Sequence, residues 1–371
     1  MEYKASGIPI SAQFAEILTN DIADFVYSLE QLNSPETNQI ILEGRQAMED
    51  DRVIQTLGEA LGLGSMVAVD GGNNILDIGS GSQCFIIAVR YSLRNGYDPH
   101  FMMDRFKFES AEPSGFMYGI RNAMEIQQIR EADEKESFCI VDNSWVSLLQ
   151  TVNRTIFHFV NASSEQDREI TEKFLEPLLA ENGDFVCTLK NPRNIAISKS
   201  GISSYYCERY TNHKLNLADK VFLLGVLRAG EYTEPKALVD SGIGQLNVRS
   251  DKIFVTKDEV KDIYNTTLQS TSEDCLCLTY FRPHEWSPVK RIEFHKKLLK
   301  DNKKLFKSML QTVADSMIIP TIHEPLEQFL VDEIVKRHTG KLPNIYQTVG
   351  IANIKDFSSQ FAMQLTRRLR T

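Results

Sequence analysis

The feature that most constrains the fold is a change in hydrophobic period near residue 62. Before it, apolar residues recur at helical spacing, for example Phe14, Ile17, Leu18 and Ile22. After it come short apolar runs separated by turn-forming residues, and farther along such runs alternate with helical patterns. Strands followed by strand–helix alternation, with helices at both ends, predict an α/β fold in which helices flank one mixed sheet.

The same patterns predict the individual elements and their grouping. Strands are expected at 66–69, 75–78, 85–91, 138–141, 185–189, 194–198, 276–281 and 289–294. Helices are expected at 113–134, 165–179, 220–227, 296–315 and 324–338, and from about 145 onward. We divide the chain into a helical N-terminal region (1–62), a core (63–345) with an inserted hairpin at about 235–256, and a C-terminal segment (346–371).

Length and composition exclude several classes of protein. The 371 residues suffice for two folding units or for one core with elaborations, and 42% apolar with 25% charged residues is typical of globular proteins. The apolar runs are too short to span a bilayer, and the first residues lack the basic and apolar regions of a signal peptide. We therefore expect a soluble cytoplasmic protein. The six cysteines show no C-x-x-C pair or finger spacing, which predicts reduced thiols rather than a zinc site.

Charge gives a mixed signal about nucleic acid. The net charge of −9 should repel phosphate. Between residues 289 and 307, however, eight Lys or Arg residues stand against two carboxylates. Lys296, Lys300 and Lys303 share one face of the predicted helix 296–315, which indicates either a phosphate-binding surface or a solvated helix face.

The candidates for catalysis are acids at the ends of strands. The sequence contains no P-loop, no H-E-x-x-H, no G-x-S-x-G and no kinase motif set. Asp70 and Asp142 each follow a predicted strand, and Glu125 lies on the helix that precedes the second one. Converging carboxylates repel each other unless a divalent cation holds them, and oxygen ligands suit Mg²⁺ or Mn²⁺. Turn and helix-cap roles remain open for both aspartates, and Asp77 is a competing candidate.

Two further polar features could act on phosphate. The segment 282–288 places two prolines, Arg282, His284 and a Trp between two strands, as in a rigid loop that displays polar groups or in a turn stiffened by proline. Lys199 lies where a predicted strand meets a glycine turn, and it could neutralise a phosphate or simply be exposed.

Five segments, taken in order, resemble the NurA nuclease family over residues 66–336. They are Val69-Asp70-Gly71-Gly72, Arg121-x-x-x-Glu125, Ile140-Val141-Asp142-Asn143-Ser144, Ile195-Ala196-Ile197-Ser198-Lys199-Ser200, and the stretch from Tyr280 through Arg282-Pro283-His284-Glu285-Trp286 to Glu293. The family usually has Asp-Gly-Ser at both strand ends, whereas this chain has Asp-Gly-Gly and Asp-Asn-Ser.

The resemblance implies an RNase H-like core, a homodimer and Mn²⁺-dependent cutting of DNA, typically 5′-to-3′ on single strands, with a HerA-type hexameric ATPase as partner. It implies that Asp70, Glu125 and Asp142 bind metal and that Lys199 and Arg282 contact phosphate. It also implies a fourth catalytic residue, for which His323, Glu324 and Glu327 are candidates and His323 is preferred.

These observations predict a divalent-metal-dependent DNA nuclease that uses Mn²⁺ or Mg²⁺ in DNA end processing or in anti-phage defence. His284, Lys296, Lys300 and Lys303 join Lys199 and Arg282 as expected DNA-binding residues. The alternatives are an inactive NurA-like scaffold or regulatory subunit of an ATPase complex, and an RNase H-like enzyme that acts on RNA.

Overall fold

The computed structural model describes residues 34–62, 66–77, 82–93, 99–109, 113–132, 138–179, 183–198, 203–238, 271, 273, 275–301 and 303–353. The strands within these ranges are β1 Ile54–Thr56, β2 Met66–Asp77, β3 Ser82–Tyr91, β4 His100–Phe108, β5 Phe138–Val141, β6 Asn194–Ser198, β7 Glu231–Thr233, β8 Lys236–Ala237, β9 Leu276–Arg282 and β10 Lys290–His295. The helices are α1 Pro35–Asp50, α2 Ser114–Glu131, α3 Trp145–Val160, α4 Glu165–Leu179, α5 Asp184–Lys190, α6 Tyr205–Thr211, α7 Asp219–Val226, α8 Lys304–Ser316 and α9 Leu326–Asn353.

The strands form one mixed sheet in the order β1-β7-β9-β10-β6-β5-β2-β3-β4, and β8 pairs with β9. At its centre, β5 runs parallel to both β2 and β6. The hairpin partners β3 and β4 extend the sheet in antiparallel fashion on one side, and β10 begins an antiparallel extension on the other. This arrangement confirms the mixed α/β sheet that the sequence predicts.

Helices cover both faces of this sheet because residues alternate between faces along each strand. On β2, Val67 and Val69 join a buried cluster with residues of α2 and α3, whereas Ala68 packs with Val331 and Val335 of α9. No helix in the described part of the chain is long and apolar enough to cross a membrane.

Three sequence-based element assignments are wrong. β2 is continuous from Met66 to Asp77, because its whole length pairs with β3, so Asp70 lies inside a strand rather than at its end. Residues 184–190 form helix α5 instead of a strand, since a short apolar run does not distinguish the two. Residues 54–56 form strand β1 within the region expected to be helical.

The predicted helix 296–315 is also interrupted. Residues 296–299 form a single 3₁₀ turn, and α8 begins only at Lys304 after Lys303 adopts a left-handed φ of 61°. Lys296 and Lys300 therefore do not share a helix face with Lys303, and the continuous basic face is not formed.

Most other helices agree with the sequence patterns, including α2, α4 and α7. Of the predicted hairpin at about 235–256, only β8 lies within the described residues. The domain boundaries at 62 and 345 remain predictions, although Met48 of α1 belongs to the same buried cluster as Val67 and Val69.

Candidate metal centre

Two aspartates lie side by side because of the register between β2 and β5. These strands are parallel, with Val69 opposite Val141. Asp70 and Asp142 are the residues that follow this pair in the two segments. The backbone N–H of Asp142 donates to the carbonyl of Val69 at 3.4 Å and continues the pairing to that point. Alternation along β2 turns Asp70 toward the face on which Ala68 meets α9.

Helix α9 brings a third aspartate to the same place. Carboxylate oxygens of Asp70, Asp142 and Asp332 all lie within 4.8 Å of one another. We call these three residues the acidic cluster. Val331 and Val335 hold α9 in position, since both are buried against β2 and β3.

Neighbours on α9 orient two of these carboxylates. Gln328, one helical turn before Asp332, donates from Nε2 to Asp142 Oδ1 at 2.5 Å and to the carbonyl of Ile197 at 3.4 Å. Lys336, one turn after, donates to Asp332 Oδ2 at 2.6 Å. The side chain of Gln328 thus ties α9 to the ends of both β5 and β6.

Gly71 and Gly72 allow helices to approach β2 from opposite faces. A Cβ atom at Gly71 would lie 2.3 Å from Glu125 Oε1, and one at Gly72 would lie 2.6 Å from Val335 Cγ1. Both distances are too short for real side chains. The two glycines that follow Asp70 therefore serve the close packing of α2 and α9.

Glu125 occupies the space that Gly71 leaves open. Its carboxylate is buried and forms an ion pair with Arg121, whose Nε lies 3.2 Å from Glu125 Oε1. It is outside the acidic cluster by distance but interacts electrostatically with Asp70 and Asp142. Burial raises the pKa of Glu125, Arg121 opposes this rise, and the charge of Asp142 adds to it.

The acidic cluster is electrostatically unfavourable without a cation. Burial raises the pKa of Asp70 to about 8, and the charges of Glu125, Asp142 and Asp332 add to the rise, while the N–H of Gly71 opposes it. Asp70 therefore holds a proton at neutral pH in the metal-free protein. Three carboxylates with no sulfur or imidazole among them fit a hard divalent cation such as Mg²⁺ or Mn²⁺.

The predicted basic residues that the structure describes contact other parts of the protein. Arg282 Nη1 donates to the carbonyls of Leu224 and Leu227 at 3.0 and 2.7 Å, and Nη2 donates to the carbonyl of Glu285 at 2.8 Å. The ring of His284 lies 3.0 Å from the carbonyl of Ala314 and stacks on Trp286.

The four lysines predicted to bind DNA do not share a common location among the described residues. Lys303 forms an ion pair with Glu234, and Lys296 lines a separate cavity beside β8. Lys300 follows the 3₁₀ turn. Lys199 lies outside the described residues.

The three candidates for the fourth residue lie just before or in the first turn of α9. His323 and Glu324 line a cavity beside β10, and Glu327 is a buried carboxyl whose pKa burial raises. The structure brings Asp332, and none of these three, within 4.8 Å of Asp70 and Asp142. The competing candidate Asp77 ends β2 opposite Ser82 and is also outside the acidic cluster.

Sequence reasoning missed Asp332, although a weak signal exists. Gln328, Val331, Val335 and Thr339 form a buried stripe along α9, and Asp332 borders it. An acid beside a buried stripe is a candidate for a site because a charge is costly near a core.

Comparisons with solved structures identify the type of fold. The NurA nuclease from Sulfolobus solfataricus superposes with a TM-score of 0.57 at 11% sequence identity, over 93% of this chain and 98% of that one. The chain has the NurA fold. A structure of NurA bound to dAMP and manganese gives a TM-score of 0.50 at 10% identity, over 95% of this chain and 99% of that one. No protein-family model and no curated protein matches the sequence.

The NurA likeness confirms the family resemblance at the level of the fold, and it confirms the expected fold class, an RNase H-like mixed sheet flanked by helices. Identity this low establishes the fold alone. The roles of individual residues therefore depend on the geometry of the acidic cluster.

Proposed function

We propose that this protein is a divalent-metal-dependent deoxyribonuclease that hydrolyses phosphodiester bonds. The observation that carries the proposal is the convergence of Asp70, Asp142 and Asp332 at the carboxyl end of β5, on a sheet of the NurA type. Open α/β sheets place their sites at such strand ends. Glu125 stands beside the cluster as a fourth acid.

The three aspartates would hold one or two divalent cations, with Glu125 adjacent. A cation bound there would act as a Lewis acid on the phosphate and would lower the pKa of an attacking water. Asp70 would give up its proton when a cation binds, because the positive charge reverses the balance that raises its pKa. Gln328 and Lys336 would keep the carboxylates of Asp142 and Asp332 in the orientation that binding requires.

Mn²⁺ and Mg²⁺ both suit the oxygen ligands, and one NurA structure contains manganese and dAMP. By the same likeness we propose DNA, as single strands or ends, as the substrate. We also propose assembly as a homodimer with a HerA-type hexameric ATPase, and a cytoplasmic role in DNA end processing or anti-phage defence.

The test is a cleavage assay on purified protein with end-labelled single- and double-stranded DNA, in Mn²⁺, Mg²⁺ or EDTA. Wild type should cut only with a divalent cation, and Asp70→Asn and Asp142→Asn should abolish cutting. Asp104→Asn is the matched control, since Asp104 is an acid on β4, outside the acidic cluster, and should leave cutting unchanged.

Cutting that persists in both Asp70→Asn and Asp142→Asn would exclude the acidic cluster as the catalytic site. If wild type cuts neither DNA with either cation, alone or with the ATPase added, the inactive scaffold becomes the better assignment.

A further inference from the structure

An acidic residue lies in the buried layer between the sheet and α3. Glu293 on β10 is 0% exposed. It lies opposite Ala196 of β6, which lies opposite Val141 of β5, and both of these residues belong to the buried cluster that includes residues of α3. Residues opposite one another share a face of a sheet, so the Glu293 side chain points toward α3. A carboxyl group buried there is costly unless it has partners.

The partners of Glu293 are Arg291 and the first turn of α3. Arg291 Nη2 lies 2.5 Å from Glu293 Oε1 in a buried ion pair. The backbone N–H of Trp145, the first residue of α3, donates to Glu293 Oε2 at 2.8 Å. The first N–H groups of a helix have no partner within the helix, and a negative charge stabilises that end. Glu293 therefore connects the start of α3 to β10.

This contact restrains the connection that contains Asp142. Residues 142–144 join the end of β5 to Trp145. At the start of the connection, the N–H of Asp142 donates to the carbonyl of Val69 at 3.4 Å, and at its end Glu293 binds the N–H of Trp145. Because only three residues lie between β5 and Trp145, a shift of the start of α3 would move the backbone of Asp142.

Asp142 is thus held from both faces of the sheet. On the face covered by α9, Gln328 contacts its carboxylate. On the opposite face, Glu293 restrains the backbone that follows it. A metal ligand must keep its position to within about 0.5 Å, and side chains behind the ligands supply that precision.

The ion pair and the contact with α3 differ in what could replace them. Taking two charges out of water costs about as much as their attraction returns, so apolar residues often replace a buried ion pair without loss of stability. An apolar residue at position 293 could not accept the hydrogen bond from Trp145. The contact with α3 is therefore the part of this arrangement that requires a polar side chain.

We propose that Glu293 is a positioning residue for the acidic cluster, because it binds the N–H of Trp145 and thereby sets where Asp142 lies for metal binding. The proposal rests on the proposed nuclease function, since it assumes that the acidic cluster binds a divalent cation. Glu293 lies outside the acidic cluster and acts through the backbone of residues 142–144.

The test compares two double variants by calorimetric titration with Mn²⁺. Arg291→Met with Glu293→Gln removes both charges but keeps a side-chain carbonyl for the N–H of Trp145, and Mn²⁺ affinity should stay within a few-fold of wild type. Arg291→Met with Glu293→Met also removes the acceptor, and affinity should fall about 10–100-fold, the usual cost of losing a residue that supports a metal ligand. The two double variants have the same charge, so their difference reports the contact with α3.

Thr279→Val is the matched control for a loss of stability alone. Thr279 is buried on β9, and its Oγ1 donates to the carbonyl of Thr233 at 2.6 Å, so this variant also loses a buried hydrogen bond. Its Mn²⁺ affinity should equal that of wild type. Urea unfolding of every variant identifies conditions in which all of them are folded, and the titrations are made there.

The inference is overturned if the two double variants bind Mn²⁺ with equal affinity, or if Thr279→Val loses as much affinity as the variant without the acceptor. The cleavage assay separates this failure from failure of the proposed function. Metal-dependent cutting by wild type, with equal affinities of the double variants, would leave the nuclease in place and remove only the role of Glu293. Mn²⁺ binding that depends on the acceptor without any cutting would do the reverse. If wild type binds no Mn²⁺, both proposals fail.

Discussion

The sequence predicts that two regions of this molecule belong to a nuclease site. The two regions differ in whether their charged and hydrogen-bonding side chains have partners within the protein. In the acidic cluster, the carboxyl groups of three aspartates converge from β2, the end of β5 and α9. In the connection between β9 and β10, Arg282 donates to three backbone carbonyls and His284 contacts the carbonyl of Ala314. The first region keeps acids that repel one another even though Gln328 and Lys336 contact two of them, whereas Arg282 and His284 in the second region face carbonyl partners of the protein.

This difference distinguishes a site from a structural contact. A charged side chain with hydrogen-bond partners contributes to stability and is not free to change partners without cost. Like charges held together raise each other's energy, and a proton or a bound ion of opposite charge reduces that cost. We therefore infer a structural role for Arg282, which connects β9 with α7, and we propose the acidic cluster as the binding site.

The largest effect is expected at Asp332, whose substitution tests whether the acidic cluster binds metal. Asp332→Asn should lower Mn²⁺ affinity and metal-dependent cutting more than about 100-fold, because loss of a residue that merely supports a ligand costs 10–100-fold. Lys336→Met, which removes only the partner of Asp332, should give the smaller loss. Calorimetric titration with Mn²⁺ and the cleavage assay measure both. Equal losses in the two variants would place Asp332 outside the metal site.

The close approach of α9 to β2 should be sensitive to one methyl group. Gly72→Ala should destabilise the protein by about 1–3 kcal/mol, the usual cost of overpacking, because the new Cβ would lie 2.6 Å from Val335 Cγ1. Gly340→Ala, at an exposed position within α9, meets nothing within 4 Å and should stabilise the protein by up to about 1 kcal/mol. Urea unfolding measures both, and a neutral Gly72→Ala would contradict the packing described for β2 and α9.

At the second region, Arg282→Met should lower the free energy of unfolding by about 1–3 kcal/mol, since the carbonyls of Leu224, Leu227 and Glu285 lose a charged donor. Cutting by the folded variant should stay within a few-fold of wild type. Unfolding curves and cutting rates below the transition temperature separate the two effects. A large loss of cutting with normal stability would return Arg282 to the role of a phosphate ligand.

The last prediction concerns the proton on Asp70. Because the pKa of Asp70 is raised to about 8 in the folded protein, above the usual value near 4, the metal-free protein should lose stability as pH rises from about 4 to 8. Mn²⁺ binding at pH 7 should release a proton, and its affinity should increase up to about pH 8. Calorimetry in buffers of different ionisation enthalpy counts the proton. Asp70→Asn should release fewer protons than wild type, and an unchanged count would assign the proton to another acid.

Local patterns were sufficient for a large part of the fold. Helices α2, α4 and α7 follow from their apolar periodicity, and the apolar runs before Asp70 and Asp142 predict strand structure up to each aspartate. The same patterns failed where an apolar run was short, as in α5, or where pairing with another strand overrode turn-forming residues, as in β2. In both cases the deciding contacts are distant in sequence.

The sequence by itself determined that strand β5 ends just before Asp142 and that apolar residues precede Asp70, because short apolar runs are a local signal of strand structure. Only the tertiary structure decided which helix covers these aspartates, and hence that Asp332 and Gln328 complete the arrangement. The position of α9 depends on buried contacts of Val331 and Val335 with β2 and β3, and on the absence of a side chain at Gly72. Those contacts join segments that are far apart in the sequence, and local hydrophobic periodicity does not predict them.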